Sequence, residues 1–503
     1  MAPATFLGVD VGTSGVKAIL VDTAGDVLAS SVTALQLSTP RPGWAEQDPD
    51  AWWAATAAAI RTVLAARPGE SPDAVGVSGQ MHSSVFLDAH GDVIRPALLW
   101  CDGRTTAECR EITERTGGEE RLRELACNPA LEGFTLPKVL WLRRHEPEAF
   151  ARLAIVMLPK DFIRYKLTGV VAAEPSDASA TLMYDTAHLR WSTEILDAVG
   201  LPHAIVPDVG GSSDVLGRVS VEAAGVTGLR PGTPVVGGGA DNACGAAGVG
   251  AIAPGEAVSS WGTSGTVLAP MSEPRVDPTL RAHTFCHVLP GVWYLMGVVL
   301  SAGGAFAWYR DQLARDLTST GEANERLNAE AMAIAPGADG VTFLPYLQGE
   351  RTPHRDASAR GAILGLSLAH SRAHVTRAVV EGVCFALRDS VTILQELGGG
   401  VVTDRMLLTG GGARVEFLRR MQADVFGLPV CTVNREEGPA YGAALLAAVG
   451  AGAFPDLAAA VAATLRRGPL EQPTPGAHTA YDEPYRRFRQ SFHAAHTGAD
   501  SRR

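Results

Sequence analysis

The chain has little of what staples or anchors a protein. Its seven cysteines stand at 101, 109, 127, 244, 286, 384 and 431, with no Cys-x-x-Cys pair and no ladder of histidine partners. That spacing excludes a disulfide framework or a zinc site and predicts reduced thiols in a cytoplasmic protein. Positive charge is also short: 43 Lys and Arg against 54 Asp and Glu leave a formal net charge of −11. A broad basic face for nucleic acid or an anionic membrane is therefore excluded, and an anionic ligand must be held by local positive groups. Met1 to Leu7 lacks the charged region and long apolar stretch of a signal peptide. Val288–Tyr309 carries no charge, but Pro290, Gly291, Gly297, Gly303 and Gly304 interrupt it. A membrane-spanning helix needs ~20 predominantly apolar residues, so a buried strand from Trp293 to Leu300, a turn and a buried helix are predicted instead.

What is present is substantial. The 503 residues, 46% hydrophobic, amount to about three times a ~150-residue domain and predict two or more cores. The opening reads Phe6-Leu-Gly-Val-Asp10-Val-Gly12-Thr13-Ser14-Gly15-Val-Lys17. Apolar, β-branched residues on both sides of a small-residue turn predict a hairpin, and Val27 to Val32 a third strand. The tetrapeptide recurs at Gly262-Thr263-Ser264-Gly265, again between strand-like runs and half a chain away. Recurrence at half-length predicts two related domains, residues 1–250 and 251–503, divided where Gly and Pro punctuate Val249–Gly255. Asp48-Pro49 reads as the start of a helix with Trp53, Ala57, Ile60 and Leu64 at helical spacing. Val75–Ser78 reads as a strand, Val85–Asp88 with Val93–Ile94 as a hairpin, and Ala373–Leu397 as a long helix. Met406–Thr409, followed by Gly410–Gly412 and a helix near Val415, completes an alternation that predicts α/β layers. The residues after Arg466, richer in charge and proline, are expected to pack loosely.

Few residues are suited to chemistry. A Gly-Thr-Ser-Gly turn presents backbone N–H groups and two hydroxyls with nothing bulky in the way, which suits a phosphate. Two such turns, one per domain, suggest a polyphosphate held across a cleft, and neither is a Walker A loop. Lys17 lies on the strand after the first turn, within reach of a phosphate or simply solvated. Asp10 ends an apolar strand, and Asp241 stands among Gly and Ala with few side chains to pair with. Burying a carboxylate unpaired is costly, so both are expected to face a cleft. One can act as general base toward a hydroxyl, the other hold Mg²⁺ through water. Met81 and His82 follow a strand, where α/β sheets bind ligands. Trp100, Asp102 and Arg104 offer a stacking face and charges, and Gly410–Gly412 forms either a nucleotide loop or a tight strand–helix turn.

These motifs, in order, resemble the FGGY family of carbohydrate kinases. The likeness runs from Asp10 to about Gly452. It includes Gly79-Gln-Met-His82, Leu99-Trp-Cys-Asp-Gly-Arg104, Phe134-Thr-Leu-Pro-Lys-Val-Leu-Trp141, Pro159-Lys-Asp-Phe-Ile-Arg-Tyr-Lys-Leu-Thr-Gly169, Gly237-Gly-Gly-Ala-Asp-Asn242, Leu344-Pro-Tyr-Leu-Gln-Gly-Glu-Arg-Thr-Pro353 and Glu437-Gly-Pro-Ala-Tyr-Gly442. Gln80-Met81-His82 makes the likeness greatest to members that phosphorylate D-xylulose. The resemblance implies two ribonuclease-H-like, actin-like ATPase domains closing on a cleft, with an N-terminal sugar-binding and a C-terminal nucleotide-binding domain. It implies Asp241 as general base, Met81, His82, Asp241 and Asn242 at the sugar, and Asp10 near the phosphates and the Mg²⁺. ATP is expected against Gly12, Thr13, Ser14, Lys17, Gly262, Thr263, Gly411 and Gly412. Cys101, Ser83 and Ala240 depart from residues common in the family and bear on the sugar pocket's shape. Homodimers are common in the family, which is the ground for expecting one here. Two other readings stand beside this one: a kinase for ribulose, gluconate or glycerol, and a non-catalytic actin-like nucleotide-binding protein.

Overall fold

The computed structural model describes residues 4–318, 321–398 and 404–496. Met1 to Pro3 of the opening segment, and residues 497–503 of the tail, lie outside the described residues. Each half of the chain builds a mixed sheet around its Gly-Thr-Ser-Gly turn. In the first, Thr5–Val11 runs antiparallel to Gly15–Asp22, which pairs in turn with Val27–Ala34. On its other side Thr5–Val11 lies parallel to Ala74–Gly79, and Pro234–Val236 and Val215–Arg218 extend the sheet. In the second, Glu256–Trp261 runs antiparallel to Gly265–Met271, which pairs antiparallel with Trp293–Val299. Arg405–Gly410 lies parallel on the other side of Glu256–Trp261, followed by Val430–Cys431. The two hairpins thus have the same neighbours in the same sense, the duplication that the repeated tetrapeptide predicts.

Local sequence explains most elements. The Asp48 carboxylate caps the helix Pro49–Ala65 by accepting from the Asp50 N–H at 3.0 Å, and Pro49 occupies its first turn. Of the stripe that spacing predicts, Ala57 and Ile60 are buried and Trp53 and Leu64 pack half-buried on the same core, while the buried face widens to Trp52, Ala59 and Val63. The helix is alanine-rich on most sides, so tertiary contact, not periodicity, sets the width of that face. The long helix spans Arg372–Leu397, and Gly411–Arg414 and Glu416–Phe426 follow the glycine turn.

Val85–Leu87 turns back onto Val93 and Ile94 as expected, Leu87 bridging Val93 and the Ile94 N–H donating to Phe86 O at 2.9 Å, and it also pairs with Ile155–Met157. Two expectations change. The Trp293–Val299 strand is present, but the following helix, Gly303–Leu313, is only partly covered, with Trp308 exposed. The segment after Arg466 does not pack loosely. Asp482–His496 is a helix whose Tyr485, Phe488 and Phe492 enter the second core. Those aromatics recur at three- and four-residue spacing, which puts them on one face despite the surrounding charge. Among the described residues no helix is long and apolar enough to cross a membrane.

One helix ties the halves together. Pro439–Gly450, from late in the chain, packs on the first sheet, not the second. A Cβ at Gly8 would lie deep inside contact distance of the Ala440 carbonyl oxygen, and one at Gly76 against that of Ala443. Gly442 stands as close to the Cys244 carbonyl on helix Asp241–Val249. Gly8→Ala should therefore lower the melting temperature by several degrees, since overpacking costs ~1–3 kcal/mol. Gly225→Ala, in an exposed helix with no atom within 4 Å of the added methyl, should leave it equal or higher. A thermal scan of the two variants decides this, and equal behaviour would refute the packing argument.

Candidate active site

The halves meet at a cavity of about 200 Å³ whose lining includes Asp10, Asp241, Asn242, Ser260, Thr409 and Gly438. Asp10 enters it from the end of the first strand, opposite Lys17 and Ser78 on the neighbouring strands. Its Oδ1 is buried with no hydrogen-bond partner. Burial raises its carboxyl to about 6, against the opposing pull of Lys17 and the Ser78 hydroxyl. Asp241 is the first residue of helix Asp241–Val249. Its Oδ1 accepts from the Asn242 backbone N–H at 2.7 Å and from Asn242 Nδ2 at 2.9 Å. Burial, then the charge of Asp10, lifts the Asp241 carboxyl to about 7. Two carboxyls facing one cavity with raised pKa values are the signature of a site kept ready for a proton or a cation.

Met81 and His82 assemble next to this pair. Asn242 Nδ2 also donates to Met81 Sδ at 3.4 Å, and the Tyr294 hydroxyl reaches the same sulfur at 3.8 Å. His82 sits at φ 68°, a left-handed conformation costly for a residue with a side chain. Its Nδ1 bonds the Ala180 carbonyl at 2.6 Å. A carbonyl only accepts, so Nδ1 carries the proton and Nε2 keeps a lone pair. Burial, then the positive charge of Arg351, holds the ring well below its ordinary pKa and therefore neutral.

The two repeated turns differ from expectation in detail. The Gly12 N–H donates to Gly15 O and the Gly262 N–H to Ser264 O, both at 3.0 Å. The leading glycines thus close their own turns. The Thr13 hydroxyl is turned toward Gln80 and Trp100, donating to Gln80 Oε1 at 3.2 Å and accepting from Trp100 Nε1 at 2.9 Å. Lys17 is ion-paired with Glu437, across the two halves. Gly410, at φ 81°, and Gly412 pack directly on Trp261, beside the second turn, where a Cβ would meet that residue at 2.6 and 2.7 Å. Gly411 follows in the same turn. Asp102 and Arg104 pair with each other, and Arg104 lies 3.6 Å over the Trp44 ring, so Trp100 and Asp102 line a pocket and Arg104 does not.

Sequence reasoning missed Tyr294, which sits in an apolar strand with no motif to mark it. It also assigned nothing to a buried network of Lys160, Asp161, Glu174 and Asp177. Through Ser176, whose hydroxyl bonds both Glu174 and the Ala240 N–H, that network props the segment leading into Asp241. Among the described residues no group of three or more His, Cys, Asp or Glu side chains is placed to hold a metal.

The raised carboxyls carry a stability cost with a definite sign. A folded pKa of about 7, against an ordinary 3.8, means the folded state holds a proton that the unfolded chain has released. Stability is full below pH ~4 and falls as pH rises through about 7. Asp241→Asn should therefore melt roughly 2 °C or more above the parent at pH 8 and equal it near pH 4. Thermal scans at both pH values check this, and a gain larger at pH 4 than at pH 8 would sink it.

The chain matches the sequence profile of the FGGY family of carbohydrate kinases, N-terminal domain, over residues 5–248 and that of the C-terminal domain over 257–451. It is 41% identical to the xylulose kinase of Bacillus subtilis, covering 90% of this chain and 89% of that protein. It is 40% identical to the xylulose kinase of Escherichia coli, over 89% of this chain and 90% of that one. A solved xylulose kinase from Rhodospirillum rubrum superposes with a TM-score of 0.89 at 32% identity, covering 98% of this chain and 99% of that one. With both domain profiles matched in order and the paired carboxylates at their junction, the chain belongs to the FGGY family of carbohydrate kinases.

Proposed function

We propose that this kinase transfers the γ-phosphoryl group of ATP to the 5-hydroxyl of D-xylulose, with Asp241 as general base. The observation that carries the reading is Asp241 itself, beside Asp10 in one cavity and tied through Asn242 to Met81 of the sugar-side trio. The names and full-length likeness of the relatives supply the sugar. In this reading residues 1–250 are the sugar-binding unit and 251–503 the nucleotide-binding unit. A cytoplasmic homodimer belongs to the same proposal, on the family likeness and the seven free thiols.

The chemistry follows from the side chains. The sugar lies against Met81 and His82, where the lone pair of His82 Nε2 accepts from a hydroxyl. Asn242 fixes the Asp241 carboxylate through Oδ1, leaving Oδ2 to take the proton of the attacking hydroxyl. As that oxygen bonds to the γ-phosphorus, the bond to the β-phosphate oxygen breaks and ADP leaves. The amides of Thr13, Ser14 and Thr263 face the phosphates, and Gly411 and Gly412 leave room for the adenosine. Lys17 exchanges Glu437 for a phosphate oxygen. The unpartnered Oδ1 of Asp10 fits Mg²⁺, which keeps most of its water and needs few carboxylates beyond the phosphates. When bound, it would offset negative charge on the transferring group.

A coupled ADP-release assay tests the reading. A saturable, xylulose-dependent rate is expected, and Asp241→Ala should lower kcat by ~10²-fold or more. A rate that survives above a tenth of the parent's would remove Asp241 as base, and turnover of ribulose, gluconate or glycerol in preference to xylulose would replace the substrate. Because the base must be ionised, kcat/KM should fall as pH drops through about 7. A profile flat from pH 5.5 to 8 would contradict that assignment.

A further inference from the structure

A second and larger cavity, about 470 Å³, opens between the halves. Trp100, Glu132 and Gly133 line it from the N-terminal half, and Glu350 and Arg351 from the C-terminal half. Both of the latter belong to the motif Leu344–Pro353, to which the mechanism above gives no role.

Glu350 is 2% exposed. Its Oε1 accepts the N–H groups of Leu300 at 3.0 Å and Arg351 at 2.8 Å, while Oε2 is buried with no partner. Arg351 makes no ion pair among the described residues. Its guanidinium lies 5.7 Å from the Trp100 ring, Nη2 is 3.4 Å from the Trp100 carbonyl, and its charge helps hold His82 neutral. Across the gap, Gly133 makes room for it: a Cβ there would stand 2.5 Å from Arg351 Nη2. The result is an aromatic face, a guanidinium with no ion pair among the described residues and an unpartnered carboxyl oxygen. These converge on a space that also holds Glu132, whose charge opposes an anionic ligand. Such a set recognises an uncharged molecule with several hydroxyls.

We propose that Glu350 and Arg351 form the sugar pocket's wall from the C-terminal half and recognise hydroxyls of the sugar other than the one phosphorylated. The inference rests on the proposed function and deepens it. It makes sugar binding a contact between both halves, so the sugar itself draws them together, and it assigns sugar selectivity to the loop that carries the pair.

Steady-state kinetics with the full chain test it. Arg351→Met and Glu350→Gln should each raise KM for D-xylulose about tenfold or more while KM for ATP stays within about twofold. Arg351→Lys should recover part of the loss. Gly133→Ala, which crowds Arg351 without touching Asp241 or His82, should reproduce the Arg351→Met change in KM. The wild-type assay separates the two claims. If the parent does not turn over D-xylulose, the substrate reading falls. If it does, and sugar KM in all four variants stays within twofold, the wall falls alone. Phenylglyoxal labelling of the unmodified protein covers the case of variants that do not fold. Saturating D-xylulose without ATP should slow modification of Arg351 at least threefold by peptide mass mapping, and unchanged labelling would overturn the proposal.

Discussion

The seat of helix Pro439–Gly450 is the constraint on which the two halves depend. Backbone must approach backbone there, and Gly8, Gly76 and Gly442 permit it because each lacks the one atom that would collide. The helix is covered on nearly every side, with Ala440 through Ala448 buried, and close packing of small groups replaces the side-chain interdigitation of an ordinary core. Its first turn brings Gly438 to the cavity that holds Asp10 and Asp241. Asp10 stands near the end of the strand, and Asp241 begins the helix, that Pro439–Gly450 packs against, so the relative position of the two carboxylates is set by this one contact.

The site is expensive in the terms that govern the rest of the fold. Two half-buried carboxyls share one cavity, a histidine is held in a left-handed conformation, and Asp10 and Glu350 each leave a buried oxygen unpaired. Each feature costs stability, and each is placed where a ligand hydroxyl or cation would supply the missing partner. The surroundings are rigid enough to bear that cost. His82 O accepts from Thr135 and Lys138, and the network through Ser176 and Glu174 braces the approach to Asp241. These props belong to segments far from Asp241 in sequence, which is why the strain does not relax locally.

Much of this was legible in the sequence, and the exceptions have physical causes. The duplicated hairpin announced itself because a turn needs small residues and a strand needs apolar ones, and both copies keep that contrast. Asp10 and Asp241 stood out because charge is conspicuous in an apolar or glycine-rich context. Helix Pro49–Ala65 and the core side of its stripe were found, but the width of its buried face was not, since alanine on all sides blurs the periodic signal. The helix Asp482–His496 was hidden by charged residues that share its turns with three buried aromatics. Lys17 appeared free because its partner, Glu437, is 420 residues away, and Tyr294 looked like any strand aromatic. Pairing between distant segments is a property of the fold, and no window along the chain contains it.

The aromatic face of that last helix has one further consequence. Phe488 and Phe492 pack on Tyr346, and Phe492 stacks on His354 at 3.4 Å, so helix Asp482–His496 underlies the Leu344–Pro353 loop. A ribosome delivers the loop more than a hundred residues before the helix that supports it. Until then Tyr346 lacks the ring contacts that Phe488 and Phe492 supply, so the loop's aromatic cover is the last part of this region to be completed.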